Sequence, residues 1–127
     1  MSAAGTILLV EDDRDIRETM LDALEEAGYP VVVAVDGVDA LEQLRARAAA
    51  PALILLDLMM PRMNGAELAA ELAKVPAWAA IPVVVISADA HGRATADSLG
   101  ARDYLKKPVR LKELFGAVEQ IIGRPPR

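Results

Sequence analysis

The sequence predicts an α/β fold in which a parallel sheet is covered by helices on both faces. Two observations carry this reading. Five short aliphatic runs, rich in Val, Leu and Ile, alternate with longer segments of helical period, the pattern of repeated βαβ units. The ends of those runs then carry the chain's most distinctive chemistry: Glu11 and Asp12, Asp57, Ser87, and the pair Lys107-Pro108. Crossovers in such sheets are right-handed, so the strand C-termini open toward one edge, where ligands sit. Three carboxylates, a hydroxyl and an ammonium are expected to meet there.

The five strands are read as Thr6 to Val10, Val31 to Val35, Ala52 to Leu56, Pro82 to Ile86 and Arg102 to Lys106. Between the first two, Ile16, Met20, Ala23, Leu24 and Ala27 form an apolar stripe, and Gly28 supplies a left-handed C-cap. Val38, Leu41 and Leu44 mark a second helix, and Leu68 and Leu72 a third. The fourth, between His91 and Leu99, is weak: alanines and Leu99 are its only apolar residues, and Gly92 inside it costs about 1 kcal/mol relative to alanine. Leu111, Leu114, Phe115, Val118, Ile121 and Ile122 mark a strong fifth that stops at Gly123. Trp78 falls in a helix-to-strand loop at the strand N-termini, opposite the predicted site.

A length of 127 residues is near the modal domain size, so one domain spanning 1–127 is expected, with a core over about 5–123 and a tail or linker start after it. The net charge of -5 leaves no basic face for nucleic acid or anionic lipid. The chain has no cysteine, and its first residues lack the basic start and apolar stretch of a signal peptide. No apolar run approaches the roughly 18 residues needed to cross a bilayer. The expected compartment is the cytoplasm.

Three carboxylates brought within a few ångströms repel one another, and a cation must relieve them. Magnesium suits the set, as a hard ion that prefers oxygen ligands, usually one or two carboxylates plus waters and a phosphate oxygen. Lys107 offers a second positive charge. A lone histidine, His91, and the absence of cysteine argue against zinc, copper or iron.

Taken together, Val10-Glu-Asp-Asp, Leu55-Leu-Asp57-Leu-Met-Met60-Pro61 with Gly65, Ile86-Ser87-Ala88 and Tyr104-Leu-Lys-Lys107-Pro108 resemble the CheY-like receiver domain of response regulators in two-component signal transduction. The resemblance covers about residues 5 to 123. It implies a doubly wound, flavodoxin-like fold of five parallel strands in the order 2-1-3-4-5, with five helices on both faces. It also implies phosphoryl transfer from a histidine kinase, or a phosphotransfer protein, to Asp57. Magnesium, with manganese as a substitute, would be held by Asp12, Asp57 and the backbone carbonyl of Met59, and by Glu11 through water. Lys107 would pair with the phosphoryl oxygens. Ser87 would hydrogen-bond them and move toward them on activation, and Tyr104 would turn inward behind it. A cis bond between Lys107 and Pro108 would aim the lysine inward from the strand end, and the sequence leaves the isomer open. Such a domain catalyses only its own phosphorylation and dephosphorylation, and it would select an output partner, or a second copy of itself, through the fourth helix, fifth strand and fifth helix. The chemistry agrees: a carboxylate attacking an anionic phosphoryl group needs a divalent ion and a fixed ammonium to neutralise the equatorial oxygens.

Plainer readings exist for each residue. Asp57 alone is a turn residue or cap, Ser87 a cap for the fourth helix, Tyr104 a core aromatic, and Lys107 a solvated charge as Lys106 and Lys112 are read to be. His91 is read as a surface residue. The chain departs from the family pattern at Glu11, where aspartate is also common, and in the Ser87–Tyr104 interval, about two residues short. Among other functions, a haloacid-dehalogenase-type phosphatase needs a second aspartate where Met59 stands. A flavodoxin-like carrier would have to bind phosphate on Glu11-Asp-Asp-Arg-Asp15, which repels it. A receiver-like interaction module that is never phosphorylated is the third alternative.

Overall fold

The computed structural model of the protein describes residues 5–60 and 62–125. Met1 to Ala4, Pro61, Pro126 and Arg127 lie outside the described residues, and with them the proline of the Met60-Pro61 motif and the end of the predicted tail.

Strands β1 (Ile7–Val10), β2 (Val31–Ala34), β3 (Leu53–Asp57), β4 (Val83–Ser87) and β5 (Asp103–Lys106) form an all-parallel sheet in the order β2-β1-β3-β4-β5, as expected. The helices among the described residues are α1 (Arg14–Glu26), α2 (Gly37–Ala46), α3 (Gly65–Ala73), α4 (Pro76–Ala79), α5 (Gly92–Ser98) and α6 (Leu111–Ile122). That is six helices rather than the expected five. The addition is α4, a single turn started by Pro76 at its first position, too short to show a helical period. It holds Trp78, which was expected in a loop; the indole is half-buried against Leu72 and Ile81, on the strand N-terminal side as expected.

Alternation along each strand builds two cores from one sheet. Ile7, Leu9, Leu53, Leu55, Val84 and Ile86 face α1 and α6, meeting Met20, Leu24, Leu114 and Val118. Leu8, Val10, Ile54 and Leu56 face α2 and α3, meeting Leu41, Leu44, Leu68 and Leu72. Burying each such side chain contributes about 1.5–3 kcal/mol. Against these, α5 has little to hold it: Ala96 packs with Leu58 and Val85, and Ala96 and Gly92 are its only buried residues. Its N-cap, His91, makes no side-chain cap bond.

Turn chemistry positions the sheet's functional edge. Asp13 caps α1, its carboxylate accepting from the Ile16 amide at 3.0 Å, so the chain turns out of β1 immediately after Glu11 and Asp12. Asn64, seven residues after Asp57, and Glu67 form a reciprocal capping box that starts α3. Gly28, at φ +106°, ends α1 as the sequence predicts.

Candidate functional site

Parallel register brings the predicted residues to one edge. Val10 lies between Ala34 and Leu56, Asp57 lies beside Ile86, and Ser87 lies beside Lys106. Glu11, Asp57, Ser87 and Lys107 therefore converge from β1, β3, β4 and β5. Asp57 and Glu11 are 2 % and 1 % exposed, whereas Asp12 sits on the solvent rim. One carboxylate oxygen from each of Glu11, Asp12 and Asp57 lies within 4.8 Å of the others.

Lys107 Nζ stands 2.9 Å from Glu11 Oε1 and 3.4 Å from Asp57 Oδ2. One ammonium thus serves two buried carboxylates, and it lies nearer the glutamate. Burial, and after it the neighbouring Glu11 carboxylate, pushes the Asp57 carboxyl up to about 8. Burial disfavours the Lys107 ammonium, but Glu11 and Asp57 outweigh it and raise the lysine's pKa. Glu11 Oε1, although close to Nζ, makes no directional hydrogen bond among the described residues. A buried oxygen of this kind, with three convergent carboxylates, fits a hard cation with oxygen ligands.

The loops around this cluster are tied down. Met59 N donates to Asp57 Oδ1 at 3.1 Å, which holds the start of the β3–α3 loop against the carboxylate. The Lys107 amide donates to the Ser87 carbonyl at 2.9 Å, and the Lys107–Pro108 bond, whose isomer the sequence left open, is cis. Arg17, absent from the sequence reading, donates from Nη1 to the carbonyls of Glu11 and Asp12 at 2.9 and 3.2 Å. Nothing in its position in the chain distinguishes it from an ordinary solvated helix arginine. A groove of about 450 Å³ opens beside Lys107, between α1 and the start of α6, lined by Ile16, Met20, Pro108, Val109, Leu111 and Leu114 among others.

The plainer reading of Ser87 does not hold. Ser87 does not cap the helix that follows; it is buried, and its Oγ accepts from the Asp89 amide at 3.0 Å while α5 starts at Gly92. The Tyr104 hydroxyl stands 3.4 Å from the Ser87 carbonyl oxygen, with the Arg93 guanidinium 5.3 Å from its ring centre. The room comes from Gly92, where a Cβ would lie 2.8 Å from Tyr104 Cε1 and 3.0 Å from Ser87 Cβ. Lys106, Lys112 and His91 are exposed, as read.

Residues 7–119 match the model of the response regulator receiver domain, and the chain belongs to that family. The family's function is phosphoacceptance in two-component signalling: it is a signalling module partnered by histidine kinases or phosphotransfer proteins, not an enzyme in the ordinary sense. A response regulator of Mycobacterium leprae (strain TN), MprA, is 39 % identical over 120 residues, 93 % of this chain and 51 % of its own length. The chain therefore spans about half the length of the curated relatives it matches. Among solved structures, the receiver domain of a signal-transduction histidine kinase from Syntrophus aciditrophicus superposes with a TM-score of 0.83 at 31 % identity, covering 94 % of this chain and 90 % of that one. The receiver domain of the sensor histidine kinase PA1611 from Pseudomonas aeruginosa PAO1, with a TM-score of 0.84 at 26 % identity, covers 94 % and 98 % of the two chains. That domain has a magnesium ion coordinated in its active-site cleft. No helix among the described residues here is long and apolar enough to cross a membrane.

Proposed function

We propose that this chain is a single receiver unit in which Asp57 accepts a phosphoryl group from a histidine kinase or phosphotransfer protein, in a magnesium-dependent reaction. The observation that carries the reading is the buried Asp57 carboxylate, flanked by Glu11 and Asp12 and facing the Lys107 ammonium. An Asp57 oxygen attacks phosphorus, the bond from phosphorus to the donor's histidine nitrogen breaks, and the imidazole departs with the electron pair. Asp12, Asp57 and the Met59 carbonyl would hold the ion and Glu11 would hold it through water; manganese, with similar oxygen preference, would substitute. When bound, the ion neutralises the carboxylates and the phosphoryl oxygens. Lys107 shifts from Glu11 toward those oxygens, and Ser87 turns its hydroxyl to donate to them. Hydrolysis of the phosphoryl group is catalysed in the same site.

Output is assigned to the face of α5, β5 and α6, with Ser87 and Tyr104 as the switch, and the partner is a separate protein or domain or a second copy of the chain. The cytoplasm is the compartment this requires, since the donor kinase works there. Met59, exposed and apolar, stands where the phosphatase alternative needs an acid, which counts against that alternative.

Incubation with acetyl phosphate and magnesium, read by intact mass, tests the assignment. The wild type gains one phosphoryl group and Asp57→Asn gains none; a phosphorylated Asp57→Asn protein would sink it.

A further inference from the structure

Beyond the carboxylate cluster, the β3–α3 loop carrying the Met59 carbonyl is fastened at a second point. Its first half is held from within the site: Leu58 N donates to Ile86 O at 3.3 Å, Gly65 N to Leu58 O at 3.1 Å, and Met59 N to Asp57 Oδ1. The Met59 side chain is 63 % exposed and anchors nothing. The second half reaches across to the start of α2, where Arg62 Nε lies 2.5 Å from Asp36 Oδ2 and Nη2 lies 3.4 Å from Oδ1. Beside this pair the Gly37 amide donates to the Met63 carbonyl at 3.0 Å. The approach is so close that a Cβ on Gly37 would lie 2.6 Å from Met63 Cβ and from its carbonyl oxygen.

Asp36 is an unusual residue to find here. It follows the edge strand β2, is only 4 % exposed, and accepts from the Asp39 amide at 2.8 Å as the N-cap of α2. A cap on an exposed helix needs no burial and no arginine. Burial works against its ionised form, yet Arg62 and the Asp39 amide outweigh this and lower its pKa, so the carboxylate is charged, fixed by α2, and aimed at the loop. Arg62, by contrast, has a 59 % exposed side chain, and among the described residues its side-chain hydrogen bonds go to Asp36 as a fork.

We propose that Asp36 and Arg62 are positioning residues for the cation site, clamping the β3–α3 loop to α2 so that the Met59 carbonyl is held where the metal is bound. The inference rests on the metal-site reading above. Groups that fix the ligands of a metal, without touching it, commonly govern about 10–100-fold in its affinity. The pair therefore acts on magnesium, not on Asp57 itself.

Magnesium chloride titrations by calorimetry test this on the wild type, Asp57→Asn, Arg62→Gln, Arg62→Lys, Asp36→Asn and the double variant Asp36→Asn/Arg62→Gln. Asparagine retains the cap oxygen, so α2 stays capped, and Arg62 is exposed, so its removal leaves the core intact. Arg62→Gln is expected to weaken magnesium binding about tenfold, with Arg62→Lys partly restoring it and the double variant no worse than either single. Hydrogen exchange at the amides of residues 58–60 and 62–64 should quicken in metal-free Arg62→Gln. If Arg62→Gln lowers the melting temperature but binds magnesium within about twofold of wild type, with exchange in this loop unchanged, the pair is only structural and the proposal is overturned. Wild type that binds no magnesium, or Asp57→Asn that binds it as well as wild type, overturns the metal-site reading and this inference with it.

Discussion

Asp57 is the residue at which burial and charge act most strongly together, and its titration gives the first prediction. Its carboxyl titrates near 3.8 in an ordinary setting and near 8 in the folded protein, so folding takes up a proton between those values. A raised carboxyl pKa favours the neutral form in the native state. Stability linked to Asp57 is therefore full below the lower value and lost as pH rises toward the upper one. In chelator, wild type should fall behind Asp57→Asn in melting temperature as pH goes from about 5 to about 8, and millimolar magnesium should close the gap. A gap that does not change with pH, measured by calorimetric scans, would contradict this origin. The candidate site residues themselves were legible because strand-end acids, a hydroxyl and a lysine before proline stand out in apolar surroundings. Arg17, Asp36 and Arg62 were not, since surface arginines and an Asp-Gly turn are commonplace until the partner across the loop is known.

At the scale of elements, α5 is the place where small energies can move structure. It is seven residues long, uncapped by any side chain, and anchored through Ala96, so it belongs near the low end of local stability. The weak periodicity of the segment foretold this. What the segment's sequence did not disclose is that Gly92 makes the hollow for the Tyr104 ring. Hydrogen exchange comparing the free protein with its beryllofluoride complex should change mainly within residues 87–106; a change confined to α1 would place the switch elsewhere. Gly92→Ala should swing Tyr104 outward, seen as narrowing or shifting of a fluorotyrosine resonance at 104. Its stability should change by no more than about 1 kcal/mol, because the gain in helix propensity offsets part of the lost contact. An unmoved ring would show that the hollow is not what seats it.

For the whole molecule, function depends on a rigid sheet whose two faces are both buried. Leu55 is fully buried between β1 and β4, facing α1 and α6, and Leu55→Ala should cost about 2–5 kcal/mol in denaturant unfolding. A loss under 1 kcal/mol would mean the core recloses around the gap, on the scale expected of a repacked cavity. The sheet also separates its two ends. Trp78 sits in α4 on the strand N-terminal side, so its fluorescence should barely respond to magnesium, and strong quenching would contradict that placement.

By itself the sequence determined the parallel α/β architecture, the five strands to within about one residue, and the set of groups at their C-terminal ends, because these follow from local period, chain order and handedness. The order of the strands came from family likeness and is now seen in the pairing of β1 with both β2 and β3. Only the tertiary structure decided that Lys107 leans toward Glu11, that Ser87 bonds its own turn, that Tyr104 is already seated against Gly92, and that Asp36 reaches Arg62. Each of these is a contact between side chains or loops far apart in the chain, fixed to fractions of an ångström by the packing of the sheet, and no local pattern in the sequence encodes such a distance.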